Sequence, residues 1–292
     1  MSELVDGKPI GWGSLSGLSA DPERPGILYA VNDGFYAMQP RIFTINANKT
    51  PATITSAVDI KRDNATAQLL DIEGIVSDGK GGYWLASEGQ TDKEIPHAIY
   101  HVDDNGNIKN QIPLPQEIVR FEKNGGSEGI TLIGNTLWLA IQRPWKDDAD
   151  DHVKLLSYDL DNQRWGAVSY PLDKVTKGQN GLSEITAFGE HVYIIERDDQ
   201  IASNARHKKL FRVAITELKG AALGSELPVV NKELVRDFLP DLLSTKGYAA
   251  NKIEGFAVDT SGTAYAVTDN DGVDKSNGET LFLQIQDFPN TF

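Results

Sequence analysis

Short apolar segments that contain an aromatic residue recur along the chain and are separated by turns rich in Gly, Asn and Asp. Each follows another short apolar segment that begins with a polar residue. Segments of this length, rich in Val, Ile, Tyr and Trp and bounded by turn residues, are typical of β-strands. Helical periodicity is weak everywhere except near residues 236–244. The pattern predicts an all-β protein. The five aromatic-containing segments are residues 28–31, 83–86, 137–140, 192–195 and 264–267.

The polar residues that open the preceding segments recur with a regular period. The steps between them are 57, 55, 56 and 70 residues. Each step leaves room for two more strands, such as residues 154–160 and 165–172, and four antiparallel strands per repeat are typical of a propeller blade. We expect one domain over residues 1–292, a β-propeller of five four-stranded blades, while the long fourth step leaves six blades open. The opening residues are Ser16, Glu73, Glu128, Glu184 and Glu254.

The two ends of the chain are expected to share a blade. Only 38 residues follow Glu254, enough for three strands, and residues 4–10 form a candidate strand without a blade of its own. Pairing this strand with the last blade would remove an exposed sheet edge. The sequence therefore predicts that the N-terminal strand completes the C-terminal blade.

Composition narrows the functional classes. The net charge is −14, and this sign opposes binding to nucleic acids and to anionic membranes. No apolar run is long enough to insert into a membrane. The chain has no cysteine, which excludes thiolate metal sites, redox chemistry and a cysteine nucleophile. We expect a monomer that acts on a small molecule.

Carboxylates are predicted to converge at one mouth of the propeller channel. The four glutamates that open inner strands would lie at the same end of successive blades. Each following strand is antiparallel, so its end returns to that mouth. The polar residues at these returning ends are Asn32, Asp33, Glu88, Gln142, Arg143, Glu196, Arg197, Asp198, Asp269, Asn270 and Asp271.

Such a cluster needs compensation, because like charges about 4 Å apart repel by roughly 4 kcal/mol at an effective dielectric near 20. The candidate metal ligands all offer oxygen atoms and include no histidine, which favours Ca²⁺ over Zn²⁺. Arg143 and Arg197 are alternative compensators and candidate substrate-binding residues. In a purely structural alternative, each glutamate caps backbone amides of the next blade. The predicted calcium ligands are Glu73, Glu128, Glu184, Glu254, Glu88, Glu196, Asp198, Asp269, Asp271 and Asn32.

Four segments resemble one known family. Residues 70–75, 124–130, 195–198 and 252–256 are similar to the bacterial phytase-like family, also described as esterase-like activity of phytase. The resemblance covers residues 11–286 and implies a β-propeller that is usually exported. The signature of calcium-dependent propeller phytases is present only as the fragment 20–22, which argues against hydrolysis of inositol phosphates. The resemblance then implies metal-assisted hydrolysis of esters or phosphoesters in general.

These observations lead to three functional hypotheses. The first is a calcium-dependent hydrolase of phosphate or related esters, with Glu73, Glu128, Glu184 and Glu254 as catalytic residues and Arg143 and Arg197 binding the substrate. The second is a non-catalytic, calcium-stabilised binding propeller that uses Tyr36, Trp145 and Tyr248. The third is a lactonase of calcium-propeller type. The family implies a secreted or periplasmic protein whose leader has been removed, with a cytoplasmic location as the alternative.

Overall fold

A computed structural model describes residues 1–34, 39–67, 70–123, 125–244, 249, 252–271, 279–286 and 288. Five antiparallel sheets surround a central axis, and the inner strand of each sheet contacts the inner strands of both neighbouring sheets. Because the first and last sheets also touch, the ring is closed. The predicted five-bladed β-propeller is confirmed.

The chain begins with a hairpin and then builds two complete blades, each running outward from the axis. The hairpin consists of β1 (Leu4–Val5) and β2 (Lys8–Pro9). Blade 1 consists of β3 (Leu15–Ala20), β4 (Ile27–Asn32), β5 (Arg41–Asn46) and β6 (Thr53–Asp59). A small hairpin follows, made of β7 (Lys61–Arg62) and β8 (Ala65–Thr66). Blade 2 consists of β9 (Ile72–Ser77), β10 (Tyr83–Ser87), β11 (Ala98–Val102) and β12 (Ile108–Pro113).

The remaining blades follow the same order, except that one short strand of the fourth repeat pairs with blade 3. Blade 3 consists of β13 (Ser127–Ile133), β14 (Thr136–Ile141), β15 (His152–Asp159) and β16 (Arg164–Pro171). Blade 4 consists of β17 (Asn180–Phe188), β18 (His191–Asp198), β19 (Lys208–Ala214) and, after the intervening β20 (Ala221–Ala222), β21 (Glu233–Asp237). Blade 5 consists of β22 (Lys252–Val258), β23 (Ala264–Asp269) and β24 (Phe282–Ile285).

The extra length of the fourth repeat forms no sixth blade in the described part of the chain. Strand β20 lies within this extra length and pairs with β16, so it adds a fifth strand to blade 3. Two short α-helices connect blades at the mouth, and the second confirms the helical signal near residues 236–244. They are α1 (Gln116–Val119) and α2 (Leu239–Leu243). No helix in the described ranges is long and apolar enough to cross a membrane.

The predicted pairing of the N-terminal strand with blade 5 is wrong. Asp6 and Gly7 both have positive φ, 51° and 75°, which folds residues 4–9 back into their own hairpin. The residues before the hairpin bond to blade 1 instead, since the amide of Glu3 donates to the carbonyl of Ile54 at 2.9 Å. Within the described residues, blade 5 has three strands.

The hydrophobic core is divided into five clusters, one between each pair of neighbouring blades. Strand β14 shows why the second strands are continuous apolar runs. Leu137 and Leu139 face blade 2, whereas Trp138 and Ala140 face blade 4. Because side chains alternate along a strand, a blade packed on both sides needs apolar residues at every position.

Candidate functional site at the channel mouth

Each inner strand carries a β-bulge where it enters the channel from the mouth. One residue of the inner strand there lacks a partner on the second strand of its blade. In blades 2, 3 and 5 this residue is a glutamate, and in blades 1 and 4 it is a serine. We call this set the bulge ring. Its members are Ser16, Glu73, Glu128, Ser183 and Glu254.

Glu184 is not a member of the bulge ring, so its predicted equivalence with the other three glutamates is wrong by one residue. In blade 4, Leu182 pairs with Glu196 and Glu184 pairs with Ile195, which leaves Ser183 as the bulge. In the other blades, the position of Glu184 is occupied by a glycine. These glycines are Gly17, Gly74, Gly129 and Gly255.

The four glycines allow the inner strands to approach closely around the axis. A Cβ atom added to Gly74 would lie 2.8 Å from the Cα of Gly129, and one added to Gly129 would lie 2.9 Å from the Cα of Glu184. The side chain of Glu184 lies across the remaining space. Its Oε2 accepts a hydrogen bond from the Leu18 amide of blade 1 at 3.1 Å, and its Oε1 accepts one from the Ile185 amide at 2.9 Å. Glu184 therefore joins blades below the bulge ring, which is the structural role considered for the predicted glutamates.

The same strand register places two more sets of residues at the mouth. The residues two positions before the bulge share its side of the strand, since side chains alternate. The residues at the mouth end of each second strand face them. We call these sets the entry ring and the return ring. The entry ring is Ser14, Asp71, Gly126, Gly181 and Lys252; the return ring is Asp33, Glu88, Gln142, Arg197 and Asp269.

Besides Glu184 and Asp271, three of the predicted ligands lie outside these rings. Asn32 and Glu196 precede a return-ring residue, and Asp198 follows one, so their side chains point to the opposite face of the strand. The Oδ1 of Asn32 accepts a hydrogen bond from the Arg41 amide at 2.8 Å. Asp198 pairs with the ammonium group of buried Lys208 at 2.9 Å. These side chains serve loop and blade packing, so the prediction that they line the mouth is wrong.

Glu196 lies in a buried polar network between blades 3 and 4. Its carboxylate accepts hydrogen bonds from the Tyr170 hydroxyl at 3.1 Å, from His207 Nε2 at 3.0 Å and from Lys232 Nζ at 2.5 Å. Burial alone would raise the pKa of Glu196, but the hydrogen bond from His207 and the positive charge of Lys232 lower it to about 2. An acidic group that an ammonium already neutralises does not need a metal ion.

One half of the mouth has its negative charges compensated by protein cations. Arg197 donates a hydrogen bond to Oε1 of Glu254, and the Lys252 ammonium lies 3.0 Å from Asp269 and 2.6 Å from Asp271. Burial alone would lower the pKa of Arg197, but the charges of Glu254 and Glu128 raise it. Arg197, one of the two arginines predicted to bind substrate, is therefore already paired with a carboxylate of the protein.

In the other half of the mouth, the described cations act only from a distance: the charges of Arg197 and Lys252 lower the pKa of Glu128. Asp71, Glu73 and Glu88 each place a carboxylate oxygen within 4.8 Å of the others, and Glu128 lies next to them. Among the described residues, no lysine, arginine or histidine forms a salt bridge with any of these four carboxylates. Their hydrogen-bond donors are neutral. The Ser16 hydroxyl donates to Glu73, the Gly126 amide to Glu88 at 3.0 Å, and the Gln142 side chain to Glu128 at 2.6 Å.

The uncompensated carboxylates hold their protons more tightly than usual. Burial raises the pKa of Glu73 well above its ordinary value, and the neighbouring charges of Glu128 and Asp71 raise it further. Burial and the charge of Glu88 raise the pKa of Glu128 well above its ordinary value. Burial and the charge of Asp71 raise the pKa of Glu88 to about 7. Across the mouth, burial and the charge of Glu254 raise the pKa of Asp269 to about 7.

These pKa values predict an unusual dependence of stability on pH when divalent cations are removed. Glu88 has an ordinary pKa of 4.5 and a folded-state pKa of about 7, so the folded protein binds more protons between these values than the unfolded chain. Stability should therefore fall as the pH rises from about 5 to about 8. One pKa unit is worth about 1.4 kcal/mol, and each kcal/mol shifts a melting temperature by roughly 2–4 °C in domains of about 150–250 residues.

We expect the melting temperature in excess chelator to drop by several degrees across this range, as measured by scanning calorimetry. The Glu88→Gln variant should show a smaller drop, and the exposed Glu190→Gln variant should match the parent protein. A melting temperature that is flat or rises over the same range would contradict the raised pKa values.

Arg143 lies one residue beyond the return ring, in a groove between blades 3 and 4. The groove has a volume of about 590 Å³, and its charged lining also includes Lys123, Lys174, Asp150, Asp151 and Asp173. The Nε of Arg143 is buried without a hydrogen-bond partner, and no described carboxylate forms a salt bridge with its guanidinium. Burial and the charge of Arg197 lower the pKa of Arg143. Arg143 is therefore available to an anionic ligand, in contrast to Arg197.

The aromatic residues of the binding hypothesis find no support in the described structure. Trp145 is 1% exposed, and its Nε1 donates to the carbonyl of Gly125 at 2.8 Å. Tyr36 and Tyr248 lie outside the described residues.

Sequence reasoning missed Asp71 and Lys252 as residues of the mouth, and it placed Asp33 there without including it among the predicted ligands. Asp71 and Lys252 each lie two residues before a bulge-ring glutamate. This spacing was the available signal, because residues two apart on a strand share one face. Asp33 follows Asn32 at the end of β4, so the two side chains point to opposite faces of the strand. The prediction took Asn32 as the residue that faces the channel, whereas Asp33 does.

Comparisons with known proteins agree with this architecture. The family model described as "Phytase-like: Esterase-like activity of phytase" matches residues 10–272, which confirms the resemblance found in the sequence. No curated protein matches the chain.

Solved structures of other proteins are similar to the chain at low sequence identity. Bacteroides ovatus Xyloglucan PUL GH43B is 11% identical with a TM-score of 0.53, over 88% of this chain and 47% of that chain. The GH43 protein BlXynB from Bacillus licheniformis, a mutant form, is 12% identical with a TM-score of 0.50, over 93% of this chain and 52% of that one. A gluconolactonase from Xanthomonas campestris is 12% identical with a TM-score of 0.45, over 92% and 75% of the two chains. The chain thus spans about half the length of the two GH43 proteins.

Proposed function

This chain belongs to the phytase-like family described as esterase-like activity of phytase, and from that premise we propose that it is a cation-dependent hydrolase of phosphate or related esters. One observation carries the proposal. Four carboxylates, those of Asp71, Glu73, Glu88 and Glu128, converge at the channel mouth, and none of them has a salt-bridge partner among the described residues. Buried like charges of this kind remain ionised together only when a cation neutralises them.

The donor set suits a hard divalent cation such as Ca²⁺. All four side chains offer carboxylate oxygens, and calcium is typically bound by six to eight oxygens, including carboxylates. The oxygens of Asp71, Glu73 and Glu88 already lie within 4.8 Å of one another. We propose that these three residues and Glu128 hold the ion. When bound, such an ion acts as a Lewis acid and lowers the pKa of water.

Glu128 is our proposed general base. Its Oε1 accepts the hydrogen bond from Gln142, which fixes the carboxylate at the mouth. In ester hydrolysis a water molecule attacks the phosphorus or carbonyl carbon and loses a proton to Glu128. The bond to the alcohol oxygen breaks, and the leaving oxygen then takes up that proton. Glu184 and Glu254 are less suited to this step, because backbone amides engage the first and Arg197 engages the second.

Arg143 is the proposed anion-binding residue. The charges of Glu128, Asp199 and Glu88 act on its guanidinium, but no described carboxylate forms a salt bridge with it. A planar guanidinium binds phosphate or carboxylate groups through paired hydrogen bonds. Because the protein carries a net charge of −14, an anionic substrate needs such a local positive group to approach the mouth.

Hydrolysis of a panel of esters tests the proposal directly. We expect release of p-nitrophenol from p-nitrophenyl phosphate or p-nitrophenyl acetate in the presence of Ca²⁺, with loss of activity in excess EGTA and recovery when Ca²⁺ is restored. A lactone in the same panel separates the lactonase alternative. The absence of turnover on every substrate, with and without Ca²⁺, would refute the enzymatic proposal.

A second candidate function is a calcium-stabilised binding propeller without catalysis. The observation in its favour is the burial of the bulge ring, since Glu128 is 3% exposed and Glu254 is 2% exposed. In that case Ca²⁺ raises the melting temperature and no ester is hydrolysed. A free Ca²⁺ concentration of 100 times the dissociation constant adds about 2.7 kcal/mol to the free energy of unfolding.

We further propose that the protein acts as a monomer outside the cytoplasm, either secreted or periplasmic. The support is the resemblance to a family that is usually exported, together with a cation site made of exchangeable oxygen ligands. Detection of the protein in a periplasmic or culture-medium fraction of the native organism would test the location.

A further inference from the structure

Blade 5 repeats the uncompensated carboxylate set of blade 2 with one exchange. Ile72 pairs with Ser87 in blade 2, and Ile253 pairs with Thr268 at the equivalent place in blade 5. By this register, Glu254 matches Glu73, Asp269 matches Glu88 and Lys252 matches Asp71. A lysine therefore stands where blade 2 has its third carboxylate.

The ammonium group of this lysine lies within a cluster of carboxylates. It is 3.0 Å from Asp269 Oδ2 and 2.6 Å from Asp271 Oδ1. Oxygens of Asp33, Asp269 and Asp271 lie within 4.8 Å of one another, so the lysine pairs with two members of a group that could hold a metal ion.

Glu254 adds a buried carboxylate beside this position, and Arg197 donates a hydrogen bond to its Oε1 only. Its side chain is 2% exposed, and its Oε2 has no hydrogen-bond partner among the described residues. Among the neighbouring charges, that of Glu254 has the largest effect on the pKa of both Lys252 and Asp269. A buried carboxylate oxygen without a donor is costly unless a positive charge is close.

We propose that Lys252 is a tethered cation that occupies a second cation-binding position of the mouth, one that takes a hard divalent ion once the lysine is removed. In the native protein, the blade 2 position binds a divalent ion and the blade 5 position is filled by the ammonium group. Binding of the ion at blade 2 rests on the proposed function, whereas the role of Lys252 in blade 5 does not.

Counting bound Ca²⁺ ions by equilibrium dialysis tests this inference. Lys252→Asp recreates the blade 2 set in blade 5, and it should bind one more Ca²⁺ ion per chain than the parent protein. The reciprocal variant Asp71→Lys should bind one fewer, because it brings a tethered ammonium to blade 2. Lys109→Asp is the matched control, since Lys109 pairs with Asp103 at an exposed site, and it should leave the count unchanged.

The difference between Lys252→Asp and the parent protein decides the inference. An unchanged count in a variant with native circular dichroism overturns it. A parent count of zero with a count of one in Lys252→Asp would refute the calcium site of the proposed function and still support the inference. If Lys252→Asp does not fold, Lys252→Met is judged by the same count, and failure of both variants to fold in excess Ca²⁺ would also overturn it.

Discussion

Replacing Glu128 with glutamine should lower kcat for ester hydrolysis by about 10²- to 10⁴-fold, the usual contribution of a general base. The substitution preserves the shape of the side chain but removes the proton acceptor. It also removes a buried negative charge from a group of carboxylates that repel one another. We therefore expect the fold to remain intact, with a melting temperature in EGTA equal to or above that of the parent protein.

Steady-state kinetics and thermal melting on the same samples check this result. Glu190→Gln is the control, because Glu190 is exposed and lies at the far end of β17 from the mouth. It should change neither quantity. A Glu128→Gln variant that keeps full activity would remove Glu128 from the mechanism. A variant that loses the stabilisation by Ca²⁺, in a protein that hydrolyses no ester, would instead favour the binding-propeller alternative.

Replacing Glu196 with alanine should destabilise the protein by about 3–5 kcal/mol, the typical cost of removing one partner from a buried ion pair. The substitution leaves the Lys232 ammonium and the His207 ring without their shared acceptor. It also removes the partner of the buried Tyr170 hydroxyl. At roughly 2–4 °C per kcal/mol, the melting temperature should fall by on the order of 10 °C.

Chemical denaturation by urea at neutral pH measures this loss. Glu233→Ala is the matched control, because Glu233 pairs with Arg212 on the surface with 67% of its side chain exposed. Exposed pairs contribute about 0–1 kcal/mol, so this control should change stability little. The folded-state pKa of Glu196 is about 2 against an ordinary 4.5, so its contribution is present above about pH 4.5 and is lost as the pH falls toward 2. Equal losses in the two variants would show that the buried network is not a major source of stability.

The repeated strand pattern alone was enough to predict the fold. Blades are packed on both faces, so their strands are continuous apolar runs, and the turns between them recur with the blade period. The resemblance to the phytase-like family followed from short motifs in the same repeats. Local sequence therefore determined the all-β class, the five blades and the end of the propeller at which glutamates gather.

The tertiary structure decided which of those polar residues share the mouth. A shift of one residue along a strand turns a side chain to the opposite face, and the bulges introduce such a shift in every blade. Spacing in the sequence could not reveal whether Ser183 or Glu184 takes the bulge of blade 4, because both fit the repeat. It also could not reveal that Asn32, Glu196 and Asp198 face away from the channel.

Charge compensation also depended on the fold. The sequence supplied a surplus of carboxylates, but only the assembled ring brings Arg197 to Glu254 and Lys252 to Asp269, while Asp71 and Glu73 have no salt-bridge partner among the described residues. Electrostatic interactions at the mouth act over a few ångströms between blades that are far apart in sequence. The sequence by itself thus determined the strands and their repeat through local patterning, whereas the candidate site arose from register and blade-to-blade contacts, which exist only in the closed propeller.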